Sequence, residues 1–321
     1  MDEQGPVSLI ARRTIVWVVL AVLLVAAVLA SAGIGQLPVP PSEVLGSVLR
    51  AMGINTSLAP TDSTVEATLW AVRFPRIAMA IVVGAALAVA GAVMQAIFGN
   101  PLAEPGVVGI SAGGALGAAL GIVLGITAFG AWTTAALAFF GALAATLLVY
   151  GVSRAGGRTE VVTLLLTGIA VNAFAGAGLA FLLFAADTGG REQIVFWQLG
   201  SLNGSRWPEA GIVAAVLVVA GGLAFARSRG YDLLALGERN ARHLGVNVER
   251  LRLVSIILVA LLTGAAVAFA GIISFVGLVV PHLIRMLIGP SHRSLILSSA
   301  LGGAVLLVAA LGWVSPGGVS E

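Results

Sequence analysis

The 321-residue sequence has no cysteine and no lysine, and only 10% of its residues are charged, where a soluble domain carries about 25%. Without cysteine there can be no disulfide, no thiolate nucleophile and no thiolate metal site. Without lysine there can be no P-loop, because that loop needs its lysine on the β- and γ-phosphates. All 17 basic residues are therefore arginines. Histidine is scarce too: His243, His282 and His292 show no i, i+4 pair, so a resident metal has no evident donor set. Nothing in the sequence asks for a cofactor.

What is abundant is apolar surface, at 59% of residues. Runs free of Asp, Glu, Lys and Arg include 14–42, 77–103, 105–153, 161–186, 210–226, 253–284 and 294–320, and a bilayer crossing needs about 20 apolar residues. The expectation is an all-α polytopic membrane protein forming one domain over 1–321. Nine spans are predicted, at 14–34, 76–98, 107–125, 131–150, 162–185, 209–227, 252–271, 273–288 and 294–313. The long gap 105–153 holds two of them, joined by a turn between Gly125 and Thr133. The first run, behind Arg12 and Arg13, exceeds the 7–15 residues of a signal-peptide core, so it is read as a retained helix.

A net charge of +3 invites a nucleic-acid reading, yet the arginines are dispersed among loops and form no patch. They report topology instead. With the N-terminus in the cytoplasm, the inner loops hold Arg12, Arg13, Arg154, Arg158, Arg227, Arg229, Arg239, Arg242, Arg250, Arg252, Arg285 and Arg293, and the outer loops hold Arg50, Arg73, Arg76, Arg191 and Arg206. That bias follows the positive-inside rule.

Residues 84–91, GAALAVAG, and 264–271, GAAVAFAG, agree at six of eight positions, and at the same offset Pro101 falls on Pro281 and Gly109 on Gly289. Small residues are common wherever membrane helices approach closely, so the shared proline carries much of the case for duplication. The arginine topology runs the two copies in opposite directions. Inverted repeats recur in transporters.

Several local patterns stand out. In GNPLAEPG, 99–106, Asn100-Pro101 and Pro105-Gly106 bracket Glu104 in what reads as a tight inner loop. Behind it Gly113, Gly117, Gly121 and Gly125 lie four apart, which favours a helix-packing stripe over a substrate path. Arg73 and Arg76 in RFPRIAMA sit at an outer boundary, free either to snorkel or to pair with acids of a partner. Within 227–252, Leu233, Leu236, Leu244 and Val248 recur at near-helical spacing broken by Gly237 and Gly245. One or two short surface helices follow from that spacing, resting on lipid or offering a partner protein a handle. His282 beside Pro281 reads as structural, and Asn172, deep in the fifth span, either lines a path or bridges two helices.

Four segments in order, RFPRIAMAIVVGAALAVAGAVMQAIFGNPLAEPGVVGISAG (73–113), FWQLGSL (196–202), LLALGERNARHLGV (233–246) and GIISFVGLVVPHLIRMLIGPSHR (271–293), resemble the permease family of bacterial ABC importers for iron-siderophore complexes, haem and vitamin B12. The resemblance implies a homodimer in the cytoplasmic membrane with ten helices per subunit, helices 2–5 and 7–10 forming the inverted repeat. It further implies a central path, two separate cytoplasmic ATPase subunits and an extracytoplasmic substrate-binding protein. By the same resemblance Arg73 and Arg76 dock the binding protein, and Asn100 and Leu102 form part of a cytoplasmic gate. Residues 230–246, with Leu236, Gly237, Glu238, Ala241, Leu244 and Gly245, engage the ATPase. The sequence departs from the family at Val161 and Val162, where small hydroxyl residues are usual. It departs again after residue 310, where LGWVSPGGVSE replaces the expected tenth helix, as a truncated or frameshifted gene would.

The function expected is transport of a metal chelate (a ferric siderophore, haem or cobalamin) driven by ATP hydrolysed on partner subunits, with no bond made or broken in this chain. An ion-coupled secondary transporter is the alternative, but it needs acids deep in the membrane, and no Asp or Glu lies deep in a predicted span. An intramembrane enzyme lacks any nucleophile–base pair.

Overall fold

The computed structural model describes residues 6–155 and 158–314. Fifteen α-helices make up most of it. They are α1 (Pro6–Gly33), α2 (Pro41–Ala51), α3 (Ser63–Thr68), α4 (Phe74–Phe98), α5 (Ile110–Val123), α6 (Thr133–Val152), α7 (Val161–Ala185) and α8 (Thr188–Leu199). There follow α9 (Trp207–Val216), α10 (Gly222–Ala226), α11 (Ser228–Leu234), α12 (Glu238–His243), α13 (Val248–Ala270), α14 (Val276–Ile288) and α15 (His292–Val314). Two-residue strands, β1 (Arg154–Ala155) and β2 (Arg158–Thr159), pair between α6 and α7.

Seven helical stretches are long and apolar enough to cross a bilayer: Ala11–Gly33, Ser63–Phe98, Gly130–Val152, Val161–Ala185, Trp207–Ala226, Val248–Ala270 and His292–Gly312. The spans expected at 107–125 and 273–288 are helices as well, but α5 and α14 are shorter than a crossing requires. Each follows a segment that is not α-helical, 99–109 with a 3-10 turn at Pro105–Val108 before α5 and 271–275 before α14. Residues 315–321, which hold most of the divergent tail, lie outside the described residues.

Local chemistry explains the helix ends. Asp62 accepts from the Thr64 amide at 2.7 Å to start α3, Asp187 from the Gly190 amide at 2.7 Å to start α8, and Asn247 from the Arg250 amide at 2.9 Å to start α13; each satisfies an otherwise orphaned donor. The π turn Leu69–Arg73 joins α3 to α4 just before Pro75. Proline has no N–H for the carbonyl four residues back, so the ladder widens there and the Phe74 amide reaches Leu69.

The bundle is built around α4 and α13, whose middles are almost wholly buried, while α1 and α7 turn most of their apolar side chains outward. Phe174 and Phe184 are 77% and 82% exposed, as lipid-facing rings would be. Lipid offers no hydrophobic gain for helix association, so close backbone approach holds the centre. Gly84 on α4 meets Gly303 on α15, and Gly91 on α4 meets Gly277 on α14, each so closely that a methyl group would overlap the opposing carbonyl oxygen. Gly113, Gly117 and Gly121 pack on Leu137 and Gly141 of α6, so the stripe is a packing surface. Gly125 does not join it: it has a φ of 60° and ends the turn after α5.

The two sequence copies lie on α4 and α13, which pack together. At their constant offset, however, Pro101 lies in a loop and Pro281 inside α14, and Gly91 is mid-helix where Gly271 caps α13. The two prolines therefore play different structural roles.

Candidate functional site

Most of the arginines gather at one end of the bundle, and there α11 and α12 form a surface platform. Ala235 and Leu236 leave α11, and Gly237, at φ 99° and ψ 147°, redirects the chain into α12 with a conformation that a side chain would strain. Underneath, Tyr231 is fully buried and its hydroxyl lies 2.9 Å from that of Ser255 on α13. Burial pushes the Tyr231 phenol above its ordinary range, while the Ser255 hydroxyl and the Arg227 charge oppose the shift. Asp232 Oδ1 accepts from both the backbone N–H and Nδ1 of His292, each at 2.8 Å, and so ties α11 to the first residue of α15.

Glu238 pairs with Arg242 at 3.3 Å and with the buried guanidinium of Arg252 on α13. Ala241 is fully buried beneath α12, whereas Leu236 and Leu244 are each 59% exposed. Two leucines thus project from a floor fastened by ion pairs. Gly245, at φ 86°, turns the chain toward α13.

The segment between α4 and α5 is not the tight loop expected. Asn100 and Leu102 are exposed, with the Leu102 amide donating to Asn100 Oδ1 at 2.9 Å. From there the chain climbs back into the bundle. Pro105 packs against Gly277 beside Leu87, roughly 16 Å along α4 from Phe98 at 1.5 Å per residue. Val107 abuts Gly168 on α7, and Asn172 Nδ2 donates to the Gly106 carbonyl at 3.1 Å. Asn172 is therefore a bridge between α7 and this re-entrant backbone. It gives a second donor to a carbonyl that already accepts from the Gly109 amide at 3.1 Å. Val161 and Val162 form the first turn of α7, and Val162 is 66% exposed.

At the other end, the Arg73 guanidinium donates to the carbonyls of Ala32 and Leu37 and so fastens the end of α1. Arg76, a turn further into α4, has a buried Nε without a hydrogen-bond partner. Trp70, Phe74 and Trp207 cluster here, with Trp70 5.0 Å from Phe74 and 6.0 Å from Trp207 between ring centroids. Such aromatics are typical of a membrane–water boundary.

Sequence reasoning found the platform but missed what holds it. Asp232, Arg252 and Ser255 gave no signal, since each finds its partner across at least 14 residues of chain. In the sequence Arg12 and Arg13 mark topology. Their side chains in fact reach the Met286 and Ile288 carbonyls at 3.3 and 3.4 Å, at the C-terminal end of α14 where positive charge is favoured.

Among the described residues no three His, Cys, Asp or Glu side chains gather in one place. A multi-pass helical bundle with re-entrant backbone and a braced surface handle belongs to the transport class of membrane proteins. The sequence matches the model of the FecCD transport family over residues 23–313, and the chain belongs to that family. It is 41% identical to the hemin transport system permease protein HmuU of Yersinia pestis, over 74% of this chain and 72% of that one. It is 37% identical to the cobalamin import system permease protein BtuC of Halobacterium salinarum, over 93% and 88%. The Fe(3+)-citrate import system permease protein YfmD of Bacillus subtilis is 36% identical over 80% of each. A solved inward-facing structure of a metal-chelate type ABC transporter superposes with a TM-score of 0.80 at 30% identity, covering 93% of this chain and 89% of that one.

Proposed function

We propose that this chain is the membrane-spanning permease subunit of an ABC importer that carries a metal chelate into the cell, working as a homodimer on two cytoplasmic ATPase subunits. The observation that carries the reading is the platform. Leu236 and Leu244 stand exposed at either end of α12, which is locked to α13 by Glu238–Arg252, while α11 before it is locked to α15 by Asp232–His292, and a lysine-free chain without a P-loop needs an external source of work. Force applied at α12 reaches the bundle through Glu238–Arg252 and Asp232–His292.

On this reading the arginine-rich end, with the N-terminus, faces the cytoplasm. Asn100 and Leu102 stand at the inner mouth of the path, and Arg76, with Arg73 behind it, faces the extracytoplasmic binding protein. The duplication is supported by element order more than by the 180-residue spacing: α4 and α13 are both long and buried, and each precedes a short helix introduced by a left-handed residue, Gly109 or Phe275. Counting α5 and α14 with their re-entrant leads gives nine crossings. The relatives are named for haem, cobalamin and ferric citrate, which points to a bulky metal complex as cargo.

The test is uptake into proteoliposomes holding this chain with its ATPase and binding protein, using labelled haem, cobalamin and ferric chelates in turn. ATP-dependent accumulation of one of them is expected. Accumulation that proceeds without the ATPase and collapses with a proton ionophore would replace this reading by the secondary-transporter one.

A further inference from the structure

Where the two re-entrant segments meet, a cavity of about 40 Å³ is lined by Glu104, Ser111, Thr263 and Ser274 together with Leu87, Pro105 and Phe275. The volume is enough for a water-sized ligand. The position is deep: Thr263 lies roughly 10 Å along α13 from Ala270, at 1.5 Å per residue, and Leu87 is in the middle of α4. Thr263 is 2% exposed and its Oγ1 has no hydrogen-bond partner. Glu104 makes no ion pair among the described residues, and no arginine lines the cavity. A Cβ on Gly106 would stand 3.5 Å from Glu104 Oε1 and 4.0 Å from Ser111 Oγ, so both oxygens face the same small space. Thr263 is buried without a partner, and beside it stand the half-buried Glu104 and the exposed Ser274; the orphaned hydroxyl is costly alone and the unpaired carboxylate stands at the edge of a low-dielectric wall, so together they call for a ligand.

We propose that this cavity is a binding site for one monovalent alkali cation, of the sodium class, held by the Glu104 carboxylate and the hydroxyls of Ser111, Thr263 and Ser274. The donors are all hard oxygens, which excludes metals that prefer sulfur or imidazole. They carry a single negative charge, which one monovalent cation neutralises and a divalent one would overshoot. Unwound backbone at mid-membrane is also where coupling ions sit in other transporter folds. The cation would hold the 99–109 segment, led by Glu104, against α13 and the start of α14. It would thereby favour one arrangement of the permease without itself supplying the energy of transport.

The experiment is thermal unfolding of the purified chain in nanodiscs, titrated with NaCl against choline chloride at constant ionic strength, alongside equilibrium binding of ²²Na⁺. A saturable, Na⁺-specific rise in Tm is expected. Glu104→Gln should abolish it, and Thr263→Val should weaken apparent Na⁺ affinity roughly tenfold or more, as expected for losing one ligand to a charge, with Tm in choline nearly unchanged. Should Glu104→Gln fail to fold, Thr263→Val and ²²Na⁺ binding to the parent chain decide the matter. Equal responses to Na⁺ and choline, or a Na⁺ response preserved in both variants, would overturn the site and leave it to water. A Tm that followed pH and ignored Na⁺ would overturn it in favour of a proton.

Discussion

Single residues decide how the platform is fastened. Asp232 is the acceptor for two donors of His292, one of them the first amide of α15. Asp232→Ala should cost about 1 kcal/mol, the usual worth of such hydrogen bonds, seen as a lower Tm. More tellingly, it should lower substrate-stimulated ATPase activity of the assembled complex while basal hydrolysis by the ATPase persists. Tyr231 gives a pH dependence of definite sign. Its phenol is raised by burial, so the unfolded chain ionises near pH 10 while the folded chain still holds the proton. The contribution is fully present below pH 10 and is lost as pH rises toward and through the folded value. Tyr231→Phe should flatten this alkaline loss in stability measured from pH 8 to 11.

Elements are governed by how closely they approach. At the α4–α14 crossing Gly91 leaves no space for a side chain against the Gly277 carbonyl, and backbone cannot give way as a side chain can. Gly91→Leu should therefore cost about 3 kcal/mol, the upper part of the overpacking range, read as a large fall in Tm or failure to insert. The same exchange at Gly176, which faces open space, should change Tm little. Seven of the nine predicted spans lie on helices long enough to cross, and 107–125 and 273–288 lie on the shorter α5 and α14, because long charge-free runs favour helices in lipid. Depth was not legible. GNPLAEPG has the composition of a surface turn, and residues distant in sequence, Asn172, Gly168 and Gly277 among them, draw it into the bundle. The glycine spacing marked a packing face on α5 at Gly113, Gly117 and Gly121, since i, i+4 periodicity is local, but not its partner α6 nor the exclusion of Gly125. The platform's leucines were legible for the same reason, whereas Arg252 and Asp232, which brace it through contacts across the fold, were not.

At the scale of the whole molecule, the chain is a stiff centre of α4, α13 and α15 wrapped by helices whose apolar faces look outward. Such a body moves by displacement of packed units more readily than by bending. Leu236→Glu should leave Tm unchanged, because Leu236 is exposed, yet abolish ATP-driven uptake by placing a charge in the proposed ATPase contact; unaltered uptake would sever the platform from that role. Glu238→Arg should do both kinds of damage, since it also strips Arg252 of a carboxylate partner.

α15 is gripped at His292 by Asp232 and pressed at Gly303 against Gly84. Gly303 lies near its midpoint, roughly 16 Å from either end at 1.5 Å per residue, and α15 also lies against α1 and α14. The helix is therefore a rod seated along its length, not hinged at one point. A push delivered at the gripped end is carried straight into the buried middle of the bundle.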